Sequence, residues 1–281
     1  MSIRMAGLLR KMAAHATLRP SGNIHDVSYD LRLDEQRQPL TSWLGQRIEL
    51  AFSGRIFCCN CGRQTRQSFS QGYCYPCFSK LAACDRCMMS PELCHYAQGT
   101  CREPQWAEEV CFRPHFVYLA NSSGIKVGIT REGQVPVRWL DQGAVQGMCI
   151  ARVSSRRLSG LIESRLRQHV PDKTNWRTML KGQNPDLDLG EAARPLVALL
   201  QETGVDDSDG AGIEWLLPQP LQFEYPVLQY PVKVASLNPE KTPVVSGRLL
   251  GIKGQYLILD SGVINLRKYN SYELSVALHD D

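Results

Sequence analysis

Hydrophobic and polar positions alternate most clearly near the middle of the chain. "FVYLA" (116–120) reads as a buried strand, "NSSG" (121–124) as a turn, and "IKVGIT" (125–130) as the returning strand of a hairpin. Gly128, inside that second strand, marks the close approach of a backbone or a ligand. Downstream, "RRLSGLIESRLRQHV" (156–170) changes to the helical period. Leu158, Leu161, Ile162, Leu166 and Val170 share one broad face, and Glu163 lies at its edge. A carboxylate at the rim of a core is either ion-paired or used, and Arg167 at i+4 is within reach as a partner.

The flanks are strand-like. "RIELAFSGRI" (47–56) belongs to a short β segment at the N-terminal end, and "VVSGRLLGIKGQYLILDSGVINLRKYNSYELSV" (244–276) reads as a glycine-punctuated meander or small barrel. Its Tyr256, Tyr269 and Tyr272 are read as sheet packing, with base stacking beside Arg267 and Lys268 as the alternative. Between these regions "TGVDDSDGAG" (203–212) interrupts the pattern as an acidic linker. No apolar run approaches the ~18 residues that a membrane span needs, so a non-membrane protein is expected. The N-terminal twenty residues are basic and acid-free, yet their apolar stretches are short and no small-residue cleavage site follows. A cytoplasmic location is therefore expected.

Charge sharpens the division. The net value is only +4, but residues 113–181 hold twelve Lys/Arg against four Asp/Glu, and residues 182–220 hold one against eight. A basic block of that size suits a polyanion such as nucleic acid, or is simply a solvated face balanced by an acidic neighbour. Arg131, Arg152, Arg156, Arg157, Lys173 and Arg177 are its candidate nucleic-acid contacts.

Ten of the eleven cysteines lie between Cys58 and Cys111. Cys58-x2-Cys61 and Cys74-x2-Cys77 form two knuckles separated by twelve residues. Each knuckle puts two thiolates on one side of a tight turn, and two facing knuckles make a closed tetrahedral zinc site. Cys59 is a possible substitute, but the spacing favours Cys58. A second set, Cys84-x2-Cys87-x6-Cys94-x6-Cys101, offers four more thiolates, with His95, Cys111 and His115 in reserve. Zinc is preferred there to an iron–sulfur cluster because the spacing matches no familiar cluster motif, although four thiolates serve either. Both metals are expected to be structural, since a four-thiolate site keeps no open position.

The hairpin and the helix after it resemble the GIY-YIG nuclease fold, in the branch whose second motif reads Lys-Ile/Val-Gly-x-Thr. "VYL" (117–119) stands for the first motif and "KVGIT" (126–130) for the second. Arg138 matches the family's arginine and Glu163 its metal-binding glutamate. Asn175 in "DKTNW" stands where a terminal asparagine often occurs, and Gln142 replaces a histidine seen in many members. The whole chain is also similar to a bacterial and archaeal family built on a domain of unknown function. There "QGYCYPC", "PELCHY" with "GTCREP", and "KVGITR" run in this order.

The nuclease resemblance implies that Glu163 holds Mg²⁺ or Mn²⁺ and Arg138 clamps the phosphate. Tyr118 would orient or deprotonate water, and Lys126 would supply a nearby charge. The expectation is then an α+β multidomain protein. An N-terminal β segment (1–57) precedes a double zinc module (58–112), a GIY-YIG-like α/β domain (113–200), the acidic linker (201–216) and a C-terminal small β domain (217–281). Its expected function is a metal-dependent endonuclease, or else a non-catalytic DNA- or RNA-binding protein using the same fold.

Overall fold

The computed structural model describes residues 4–20, 22–205 and 212–279; residues 206–211, the middle of the expected acidic linker, lie outside them. The chain begins with β1 (Arg4–Leu18), β2 (Ile24–Leu33), β3 (Gln36–Pro39) and β4 (Arg47–Phe57). β5 (Gln64–Thr65) opens the Cys-rich stretch, where α1 (Tyr75–Lys80) and α2 (Pro104–Val110) are joined by single 3₁₀ turns. Next come the hairpin strands β6 (His115–Asn121) and β7 (Ile125–Arg131), α3 (Val137–Leu140), and β8 (Gln146–Val153). The helices α4 (Arg156–Leu166), α5 (Trp176–Leu180) and α6 (Leu189–Thr203) follow. The remaining strands are β9 (Glu214–Trp215), β10 (Leu221–Glu224), β11 (Val244–Lys253), β12 (Tyr256–Leu259), β13 (Gly262–Asn265) and β14 (Tyr272–His279). No helix of the described residues is long and apolar enough to cross a membrane.

These strands form a single sheet whose path runs β13-β12-β11-β4-β14-β1-β2-β10-β8-β6-β7, with β3, β5 and β9 paired to β2, β4 and β8. The sequence pattern had suggested separate β units at the two ends, but they are interleaved. β4 lies between β11 and β14, so that Leu50 stands opposite Val245 on one side and Val276 on the other. β1 in turn runs antiparallel to β14, with Met5 opposite Val276. Alternation along a strand fixes which side chains point inward, as in Val27, Tyr29, Leu31 and Leu33 of β2. It does not say which strand lies alongside.

The middle of the sheet is covered on both faces, which explains why β6 is buried almost throughout. Val117 and Leu119 pack with Leu158, Ile162 and Leu166 of α4 and with Ala193, Val197 and Leu200 of α6. Tyr118 and Ala120 point the other way, into the core built with Trp139 and the N- and C-terminal strands. Leucines buried this completely typically cost about 2–5 kcal/mol when cut back to alanine. α4 starts cleanly because Ser155 caps it, its hydroxyl accepting from the Leu158 N–H at 3.2 Å. Gly160 on this helix lets the Cys-rich stretch dock: a Cβ there would stand 2.6 Å from Pro91 Cβ and 2.8 Å from the Glu92 nitrogen.

Candidate metal centre and basic–acidic cluster

Cys58 and Cys61 sit on the turn after β4, Cys74 is the N-cap of α1 and Cys77 lies in the first turn of that helix. All four Sγ atoms lie within 4.8 Å of one another, and Cys61 and Cys74 are 3.8 Å apart. A zinc ion with bonds of about 2.3 Å sets its thiolates about 3.8 Å apart, so the set fits one tetrahedral ion. Electrostatics agrees. Burial opposes ionisation of Cys58, but the backbone groups of Cys61, Cys74 and Asn60 draw it down to about 6. For Cys77 the Asn60 amide, donating at 3.4 Å, favours the thiolate, yet burial and the crowding of Cys74, Cys58 and Cys61 push it up to about 12. One thiolate forms readily; four so close together need a cation between them. Cys59 stands outside the group, next to Gly72.

Of the second cysteine set, Cys87 is the member that joins a candidate metal group among the described residues. Burial raises the Cys84 thiol to about 11, and the charges that reach it are those of Cys59, Arg102, Cys58 and Glu103. It joins no candidate metal group among the described residues. Around Cys87 the ligand atoms of Asp85 and His95 lie within 4.8 Å. The Asp85 carboxylate is already paired with Arg102 Nε at 2.8 Å and His95 Nε2 at 3.5 Å. His95 Nδ1 meets the Thr100 hydroxyl at 2.8 Å. His115 is fully buried on β6 with Nδ1 against the Arg113 carbonyl at 2.7 Å, and burial pushes it down to about 4. It joins no metal group among the described residues.

Tyr118, Lys126, Arg138 and Glu163 come from β6, β7, α3 and α4, and the charges of Arg138 and Glu163 reach both Tyr118 and Lys126. Tyr118 is opposite Gly128 in the register, and its hydroxyl lies where a Cβ on Gly128 would stand 2.5 Å away. The phenol donates to Gln142 Oε1 at 3.1 Å. Burial raises its pKa; Arg138 and the Gln142 bond pull the other way, and Glu163 adds a small upward push. Lys126 is buried and driven down to about 8 by desolvation and by Arg138, with Asp172 and Glu163 opposing. Arg138 Nε is buried and has no acceptor among the described residues. Glu163 is also buried, and burial raises it against the pull of Arg167, whose Nη2 donates to Oε2 at 2.9 Å.

Two sets of contacts at this site reach beyond what the sequence links. Arg167 gathers Glu92 (3.7 Å) and Asp172 (3.3 Å) as well as Glu163. Glu92 arrives from the Cys-rich stretch and Asp172 from the loop after α4, so no periodicity links them. At the far end of α3, Asp141 takes Lys11 Nζ at 2.5 Å, Gln255 Nε2 at 2.9 Å and Arg267 Nη1 at 3.7 Å, tying the helix to both chain ends.

The basic block divides. Arg131, Lys173 and Arg177 are exposed, and Arg177 lies over the Trp176 ring at 4.3 Å. Arg152 is held by Glu132 at 2.9 Å and Glu214 at 3.6 Å, and Arg156 donates to the Met88 carbonyl at 2.6 Å. Arg157 is half-buried beside Arg156 on the first turn of α4. Asn175 serves as the cap of α5, accepting from the Thr178 N–H at 3.3 Å. Of the C-terminal tyrosines, Tyr269 and Tyr272 are buried, and Tyr256 stacks on Trp176 with ring centroids 5.7 Å apart.

Neither the curated proteins nor the solved structures contain a match to this chain. The family model described as protein of unknown function (DUF2797) matches residues 45–274, and the chain belongs to that family.

Proposed function

We propose that the protein processes nucleic acid and that its β6–β7–α3–β8–α4 unit is a metal-dependent endonuclease of the GIY-YIG type. The observation that carries this reading is the approach of Tyr118, Lys126, Arg138 and Glu163 from four elements, with Arg138 and Glu163 near enough to bear on the ionisation of both Tyr118 and Lys126. Arg138 offers a buried Nε–H with no protein acceptor among the described residues, the donor a phosphate oxygen would take. Glu163 commits Oε2 to Arg167, so a cation would be met by Oε1. One carboxylate with water is a usual Mg²⁺ donor set, and Mg²⁺ or Mn²⁺ there would supply positive charge at the scissile phosphate.

The proton would move through the chain's own groups. Tyr118 keeps its proton, because burial raises it, and therefore orients by hydrogen bonding instead of acting as a base. Lys126, at about 8, titrates nearer the working pH, where a general base is most effective. Arg138 would bind the phosphate in both ground and transition states.

The non-catalytic reading is favoured by two observations. Tyr118 is fully buried, and Glu163 already has Arg167 as an ion-pair partner. Labelled DNA and RNA structures, assayed for binding and cleavage with Mg²⁺ or Mn²⁺, separate the two. For an enzyme, Glu163→Gln should retain affinity while losing roughly 10²–10³-fold in turnover, and Arg138→Ala should weaken both. Wild-type protein that cuts nothing while Glu163→Gln binds equally or more tightly establishes the binding protein instead.

A further inference from the structure

The stretch from Cys58 to Phe112 has little to hold it together besides its cysteines. None of its residues belongs to the apolar clusters that build the core. Beyond α1 it runs as single 3₁₀ turns and the seven residues of α2, and its cysteines are all free thiols. A segment that buries so little apolar surface needs a cross-link to stay folded. The Cys58 group supplies one at its beginning, and the latter half calls for another.

Six donor side chains meet there around one hollow. Cys87, Cys94, Cys101 and Cys111 line it together with Asp85 and His95, and its volume is about 20 Å³. A single water needs about 10–15 Å³, so the space suits one ion and nothing larger. Local structure brings the cysteines to it from different turns. Cys111 is the C-cap of α2, one turn beyond Ala107, which also lines the hollow. Cys87 lies on the turn Arg86–Met88, and Cys94 caps the turn Pro91–Leu93. The thiols of Cys87 and Cys111 are each within electrostatic reach of Cys94 and Cys101. Cys84 does not line the hollow, and the charges that reach it are those of Cys59, Arg102, Cys58 and Glu103.

Chemistry chooses among the six. Asp85, Cys87 and His95 already stand within 4.8 Å of one another, but two of the three are engaged. The carboxylate pairs with Arg102 at 2.8 Å, and both His95 nitrogens are committed, to Asp85 and Thr100. Four thiolates remain, the donor set of a closed structural zinc site. Such a site carries net negative charge, and a cation stands beside it. Arg156 lies within electrostatic reach of Cys87 and Cys111, and its backbone N–H donates to the Cys111 carbonyl at 2.7 Å.

We propose that Cys87, Cys94, Cys101 and Cys111 hold a second structural zinc ion, with Cys111 in the place that sequence spacing gives to Cys84. The full-length protein, purified without added metal, is assayed for zinc and iron by elemental analysis and by X-ray absorption at the zinc edge. The expected result is about two zinc ions per chain, with a shell of four sulfur neighbours at about 2.3 Å. Cys111→Ser should lose one of the two ions, whereas Cys84→Ala should keep both. If Cys111→Ser does not fold, Cys84→Ala decides, since two zinc ions in all-sulfur shells there support the assignment. One zinc per chain, with or without iron, would overturn the proposal. So would nitrogen or oxygen in the zinc shell, loss of an ion from Cys84→Ala, or retention of both ions in Cys111→Ser.

Discussion

Lys253 ends β11 with no exposed surface, and its Nζ has no hydrogen-bond acceptor among the described residues. Its stem packs beside Gly143, in the loop that follows α3. Desolvation drives the ammonium from 10.5 to about 8. At about 1.4 kcal/mol per unit, keeping the charge buried at pH 7 costs about 3 kcal/mol. The faces of Tyr225 and Tyr230, each 5.4 Å from Nζ, return about 1 kcal/mol. Lys253→Met retains an unbranched stem and removes the charge, so it should stabilise the protein by about 2 kcal/mol at pH 7. The advantage has a definite pH dependence. Below pH 8 the lysine is charged both folded and unfolded, and the whole penalty is present. Between pH 8 and 10.5 the folded state releases its proton first, so the wild type gains stability and the difference shrinks. Above 10.5 the electrostatic part is gone. Urea unfolding of both proteins at pH 7, 9 and 10.5 measures this directly. A Lys253→Met variant less stable than wild type at pH 7, or a difference that does not change with pH, would refute the reasoning by showing that the ammonium has an anionic partner.

His115 should make the protein acid-sensitive. Its folded pKa of about 4 lies below the ordinary 6.5, so about 3 kcal/mol present above pH 6.5 is lost as pH falls to 4. His115→Gln should flatten that part of the stability curve in urea titrations. Removing the first metal, by chelator or Cys74→Ser, should unfold the turns around Cys58–Cys77, because structural zinc contributes on the order of 10 kcal/mol to folding. Loss of zinc with unchanged amide exchange in this segment would contradict that. If Arg131, Lys173 and Arg177 each neutralise one phosphate, log K for duplex DNA should fall with log salt at a slope of roughly −3. Replacing all three with alanine should nearly abolish the slope, and a slope unaffected by the triple change would place the contacts elsewhere.

What the sequence determined is what short-range geometry controls. CxxC knuckles are local turns, so Cys58, Cys61, Cys74 and Cys77 could be matched before any fold was known, and they meet within 4.8 Å. The hairpin of β6 and β7 and the helix α4 follow from periods of two and 3.6 residues, and the rim position of Glu163 and its pairing with Arg167 follow from the same helix. The arrangement of the remaining groups was set by long-range packing. Loops of six and nine residues impose no direction on the cysteines they join. Only the tertiary fold brings Cys111 to the same hollow as Cys87 while the Cys-rich stretch docks on α4 at Gly160. Strand alternation could not say that β4 would find β11 and β14, because inward-facing residues satisfy any partner of the right register. The ionisation of Lys126 and Tyr118 depends on the same assembly. Both sit on legible strands, but the burial that shifts them comes from layers folded over the sheet by residues more than a hundred positions away.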